Sequence, residues 1–164
     1  MQIINTYTIE NEEATREFAH KVAAGLKAGD VIALIGELGT GKTALTRYIA
    51  EALGIEGRIS SPTFTIVKEH RGGRLDLFHF DVYRLAGDAE VLSGQQISGE
   101  AGRHIREHAV DELYNIGAEE YFEGKGVSVV EWADLIEEAL PEHTKYIFME
   151  YTDSEGQRII KCTF

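Results

Sequence analysis

Gly36-Glu37-Leu38-Gly39-Thr40-Gly41-Lys42-Thr43 fits the phosphate-binding loop pattern G-x-x-x-x-G-K-[ST] at every specified position. Its flanks agree. Val31-Ile32-Ala33-Leu34-Ile35 is a short apolar run of strand type. Ala44 to Leu53 reads as a helix, with Leu45, Ile49 and Leu53 on one face and Gly54 as its stop. Strand, glycine loop and helix together make an anion cradle. The glycines let the backbone curl so that successive N–H groups point at one phosphate, and the helix N-terminus adds partial positive charge. Gly36, Glu37, Leu38, Gly39, Thr40 and Gly41 supply the loop. Lys42 is then expected to reach the β- and γ-phosphates, and Thr43 to offer its hydroxyl to Mg²⁺.

At 164 residues and 43% hydrophobic content, with two prolines, the chain is expected to form one domain with a real core. The start, MQIINTYTIENEE, lacks the pattern of a signal peptide, and no apolar stretch approaches a membrane span, so no membrane association is expected. The single Cys162 cannot close an internal disulfide, which suits a cytoplasmic location, and it reads as a buried strand residue. The formal net charge of −12 is uneven: residues 1–84 carry −1 and residues 85–164 carry −11. A chain this acidic should not hold a nucleic acid by its own charge. The acidic half reads either as a solvated face or as one turned to a basic protein surface.

Before the loop, Thr6 to Leu26 reads as a short strand and a helix. Asn11 is a candidate N-cap, Glu12 and Glu13 occupy the first turn, and Ala14, Phe18, Val22 and Leu26 form the buried stripe. After it, Ser60 to Val67 and Leu75 to Tyr83 read as two strands of a hairpin around Gly72-Gly73. Asp81 falls near the end of the returning strand, 38 residues after Thr43, where the second acid of a phosphate-loop enzyme holds Mg²⁺ directly or through water. Ala86 to Val110 is rich in Gly and Ser and reads as an inserted surface loop, with a short helix over Ala101 to Val110. His104 and His108 are four apart there, but no further motif completes a zinc site. Asp111 to Phe122 reads as helix, Val127 to Val130 as a buried strand, Ala133 to Leu140 as a short helix, and Tyr146 to Phe164 as a closing hairpin. Glu131-Trp132 stands at the C-terminal end of its strand, the edge where parallel α/β sheets bind ligands. These elements predict an α/β fold of P-loop NTPase type. It is a three-layer sandwich with a mixed, mainly parallel central sheet, helices on both faces and antiparallel hairpins at the edges.

The motifs GELGTGKT, SPTF, HFDVYRL, DELYNIGAEEYF and VEWADLIEEALP stand in that order along nearly the whole chain. In this the sequence resembles the TsaE family, bacterial ATPases of tRNA threonylcarbamoyladenosine biosynthesis. The resemblance implies ATP and Mg²⁺ as cofactors. It implies that Thr63 senses the γ-phosphate, that Asp81 is the second acid near the metal, and that Glu131 is a metal ligand or orients the attacking water beside Trp132. It also implies that the start of the first helix, including Glu12, lies near the adenine. TsaD and TsaB are the implied partners, with tRNA met only through them, and the implied task is to sustain turnover of adenosine 37 modification rather than to transfer the group. Ala86 to Val110 stand where the family usually has a short connection. Two other readings compete. A small-molecule kinase would use the same loop, but the insert offers only Arg103 and Arg106 as lid arginines. A GTP switch would need an N/T-K-x-D stretch, which the chain lacks.

Overall fold

The computed structural model describes residues 2–86 and 99–164. The first half of the stretch read as an insertion, residues 87–98, lies outside the described residues. Seven strands form one sheet: β1 (Asn5–Ile9), β2 (Val31–Ile35), β3 (Val67–His70), β4 (Leu77–Asp81), β5 (Val127–Glu131), β6 (Lys145–Tyr151) and β7 (Arg158–Cys162). Their spatial order is β1-β7-β6-β2-β5-β4-β3. The pairs β2–β5, β2–β6 and β4–β5 are parallel, and the three pairs toward the edges are antiparallel. Sequence explains that split. The centre strands VIALI, LFHFD and VSVVE are buried almost throughout, as strands covered on both faces must be. The outer strands alternate or stay exposed; short connections join β3 to β4 and β6 to β7 as hairpins, and β1 closes its edge against β7.

Helices α1 (Glu12–Ala24) and α2 (Lys42–Ala52) cover one face. Phe18, Val22 and Leu26 meet Leu45, Ile49 and Leu53 there, over Leu34, Val129 and Ile147 of the sheet. Helices α3 (Gly99–Asn115) and α4 (Ala118–Phe122) cover the other face, where Leu113 and Phe122 pack with Phe80 and Val130. Cys162 is buried in β7 and its surroundings push the thiol up to about 11, so it is a packing residue.

Asn11 caps α1 as its position suggests: its Oδ1 accepts from the Ala14 N–H at 2.8 Å. Asn11→Ala is expected to lower unfolding free energy by about 1 kcal/mol. A denaturation midpoint equal to that of the unmodified protein would show that the cap contributes nothing.

Four local readings change. The SPTF stretch is a turn rather than a strand, because the Pro62 carbonyl accepts from both Thr65 and Ile66 and pairing starts only at Val67. The helix expected over 101–110 begins at Gly99 and runs on to Asn115, burying Ala109 and Leu113, so this half of the supposed insert is part of a covering layer. The helix expected over 111–122 is broken between Asn115 and Ala118, around Gly117. Ala133 to Leu140 forms two 3₁₀ turns, Ala133–Leu135 and Glu137–Ala139, because Trp132 enters with a left-handed backbone and the span before Pro141 is too short for a regular helix.

Candidate functional site

The C-terminal ends of β2, β4 and β5 lie side by side, and their register sets the site. Glu131 pairs with Leu34 of β2 on one side and with Asp81 of β4 on the other. The chain leaves β2 through Gly36 and turns into α2 at Lys42. Gly36 meets the Met149 carbonyl so closely that a Cβ would stand 2.4 Å from its oxygen. Gly41, with φ of 101°, precedes the first helical residue, and no side chain caps α2. The backbone N–H groups of that first turn are therefore left for a ligand. At the loop tip, the Tyr151 hydroxyl donates to the Leu38 carbonyl at 2.6 Å.

A cleft of about 470 Å³ opens here. It is lined by Leu38, Gly39, Gly41, Lys42 and Thr43 of the loop, with Ser61, Thr63, Asp81, Tyr83, Glu131 and Trp132 opposite. Lys42 is buried, and its Nζ donates to the carbonyls of Gly36 (2.6 Å) and Glu37 (2.8 Å). The same ammonium lies 3.9 Å from the centre of the Trp132 ring. Burial pushes its pKa below the ordinary lysine value, and Glu131, Asp134, Asp81 and Glu37 partly offset that. Trp132 holds its place with φ of 64°, and its ring stacks at a tilt on Tyr83, 4.8 Å between centroids.

The oxygen-bearing side chains converge. Thr43 Oγ1 donates to Glu131 Oε2 at 2.9 Å. Asp81 is held from three sides. Its Oδ1 accepts from the Tyr83 N–H at 3.0 Å, and its Oδ2 accepts from Thr63 at 3.1 Å and from Ser61. The Ser61 and Thr63 hydroxyl oxygens stand 2.9 Å apart, so their two protons are shared among the three contacts of this triangle. Among the described residues, no cluster of three or more His, Cys, Asp or Glu stands ready to hold a metal alone. One hydroxyl and two carboxylates instead match a hard cation that completes its octahedron with phosphate oxygens and water. The residues present thus fit a magnesium nucleotide. The loop amides and Lys42 would hold the phosphates, and Thr43, Glu131 and Asp81 the metal side.

Of the other expected residues, Thr40 turns its hydroxyl inward to the Glu37 carbonyl at 2.8 Å. Glu12 is not brought to the cleft. Its carboxylate accepts from the Tyr48 hydroxyl and, at 2.8 Å, from Arg47, and these donors, Tyr48 first, hold its pKa below the ordinary carboxylate range. Arg84, beyond Asp81, stacks its guanidinium 5.0 Å from the ring centre of Phe64, which is 86% exposed. Two residues escaped the motif reading. Ser61 lies two before Thr63 across Pro62. His79 lies two before Asp81 on the same strand face, with Nε2 at 2.7 Å from Glu131 Oε1. Period-two alternation along β4 is the signal that could have found His79; Ser61 sits in a turn, where no such period applies.

The chain matches the family model described as "Threonylcarbamoyl adenosine biosynthesis protein TsaE" over residues 9–160. It is 40% identical over 149 residues to the tRNA threonylcarbamoyladenosine biosynthesis protein TsaE of Bacillus subtilis, a match covering 91% of this chain and 79% of that protein. Against the protein of the same description from Treponema pallidum it is 36% identical over 135 residues, 82% of each chain. The crystal structure of YdiB from Bacillus subtilis superposes with a TM-score of 0.72 at 34% identity, covering 99% of this chain and 86% of that one.

Proposed function

The chain belongs to the TsaE family of tRNA threonylcarbamoyladenosine biosynthesis, and from that premise we propose that it is a Mg²⁺-dependent ATPase that keeps the modification of tRNA adenosine 37 turning over. TsaB and TsaD are its proposed partners in the cytoplasm, and tRNA is met through them rather than held by this acidic chain. The observation that carries the reading is the meeting of Thr43 with Glu131, 2.9 Å apart and beside Asp81, at the mouth of the phosphate loop.

Hydrolysis of a γ-phosphate depends mainly on positioning and charge neutralisation. Thr43, Glu131 and Asp81 would hold Mg²⁺, which would neutralise part of the negative charge on the phosphates. Lys42 sits at the loop mouth with its ammonium partly desolvated, so its charge acts in a low dielectric. Thr43 and Glu131 present adjacent oxygens to one point. Asp81 is fixed by its neighbours before any ligand arrives, which lowers the reorganisation needed on binding. Thr63 has one hydroxyl proton, directed to Asp81, which it could turn instead to a phosphate oxygen.

The test is tRNA modification reconstituted with TsaB, TsaD, excess tRNA and threonylcarbamoyl-adenylate. Repeated turnover is expected only when this protein and ATP are both present. If product formation is the same without the protein, the proposed role is wrong and small-molecule acceptors of a kinase reaction become the next substrates to try.

A further inference from the structure

β4 is apolar except at two places. Leu77, Phe78 and Phe80 are core residues, and Asp81 ends the strand in the cleft. The other exception is His79, which is fully buried. A histidine there needs a reason, since a buried imidazole with an unpartnered ring nitrogen loses its hydration for nothing. Its Nδ1 has no hydrogen-bond partner, and neither has Nε2 of the neighbouring His70, whose ring centre is 6.3 Å away. Nε2 of His79 does have one: Glu131 Oε1, at 2.7 Å, with both side chains buried. The other oxygen of that carboxylate accepts from Thr43. Glu131 is thus gripped at both oxygens, from the core by His79 and from the loop by Thr43. A leucine in place of His79 would leave Oε1 buried without a donor, and among the described residues Thr43 alone would then hydrogen-bond the carboxylate.

We propose that His79 is a positioning residue of the cleft: by donating from Nε2 to Glu131 Oε1 it fixes the orientation in which Glu131 Oε2 faces Thr43 and the metal side of the nucleotide. This rests on the magnesium-nucleotide reading above and extends it to a residue that touches neither nucleotide nor metal. The unpartnered Nδ1 agrees with it: the acceptor within reach of the ring is Glu131 Oε1 at Nε2, so a neutral ring pairs best with its proton on that nitrogen. Ligand carboxylates oriented by such a partner typically lose tenfold to a hundredfold in metal affinity without it.

The decisive experiment is equilibrium binding of a fluorescent ADP analogue with Mg²⁺ and with EDTA. It compares the unmodified protein, His79→Leu and His79→Gln, each checked for folding by circular dichroism. The unmodified protein is expected to bind more tightly with Mg²⁺. His79→Leu is expected to lose about tenfold of that enhancement while its affinity in EDTA stays within about twofold, and His79→Gln, which keeps an amide donor, to recover to within about threefold. A His79→Leu protein that keeps the full Mg²⁺ enhancement overturns the role of His79 alone. An unmodified protein whose affinity ignores Mg²⁺ overturns the magnesium reading itself, and this role with it. Nitrogen-15 NMR of the unmodified protein decides even where His79→Leu does not fold: a proton on His79 Nε2 is expected, and a bare Nε2 rules the proposal out.

Discussion

Lys42→Ala is expected to hydrolyse ATP at least a hundredfold more slowly than the unmodified protein, a loss of the size seen when one preorganised donor is removed from a developing charge. Three features of the site argue for a large effect. Lys42 is 5% exposed, so its charge is little screened by water. Its carbonyl partners, Gly36 and Glu37, are parts of the loop itself, so the ammonium is held at the loop that is proposed to take the phosphates. And Glu131 and Asp81 stand on adjacent strands of the same cleft. Without Lys42, two carboxylates would face an incoming polyphosphate with one cation fewer between them. Lys42→Arg keeps the charge on a larger planar head that cannot occupy the place under the Trp132 ring in the same way, and partial activity is expected from it. The measurement is single-turnover phosphate release at saturating Mg²⁺. A Lys42→Ala rate within tenfold of the original would mean that the loop does not hold the reacting phosphate.

The loop was legible because its pattern fixes backbone, charge and helix start at once, and the structure has Lys42 where β2 hands over to α2. β4 and β5 were legible for a different reason: strands buried on both faces must be apolar throughout, and Asp81 and Glu131 break that rule at the end where the cleft lies. Their adjacency was not legible. It depends on the sheet order, in which β5 inserts between β2 and β4, and no local pattern encodes which strand lies beside which. Ser61 and His79 went unassigned for the same reason, since each acts only through a partner far along the chain, Asp81 or Glu131.

Other misreadings had local causes. The turn at SPTF needs the Pro62 carbonyl to take two donors, a geometry that residue propensity does not reveal. Glu12 stands in the first turn of α1 as its charge suggests; what was not legible is its acceptor role toward Tyr48 and Arg47, which comes from the packing of α1 on α2. The stretch from Gly99 to Val110 reads as part of a surface insertion with only a short helix over Ala101 to Val110, because its glycines and polar residues dilute the helical stripe. Ala109 and Leu113 nevertheless face the sheet and carry the packing.

Phe80→Ala is expected to lower unfolding free energy by about 3–5 kcal/mol, the range for deleting a fully buried aromatic ring. Phe80 is one of the largest side chains with no solvent exposure. Its ring meets Tyr121 edge-on at 5.6 Å and Phe122 at 5.5 Å, so it fastens α4 to the sheet. A chain of this size loses roughly 2–4 °C of melting temperature per kcal/mol, so a drop on the order of 10 °C is expected in a thermal melt. Phe80→Leu should cost less, because most of the volume remains. The strand's alternation separates this effect from the chemistry: Phe80 points to the α3–α4 layer, whereas Asp81, the next residue, points into the cleft. Well below its melting temperature, Phe80→Ala should therefore bind the magnesium nucleotide within about threefold of the original affinity, since the ring lies on the face of β4 turned away from the cleft. A loss of stability under about 1 kcal/mol would show that α4 is not fastened through this ring. A large loss of nucleotide affinity in the folded variant would show instead that the two faces of β4 are coupled, and that the cleft takes its shape from the layer behind it.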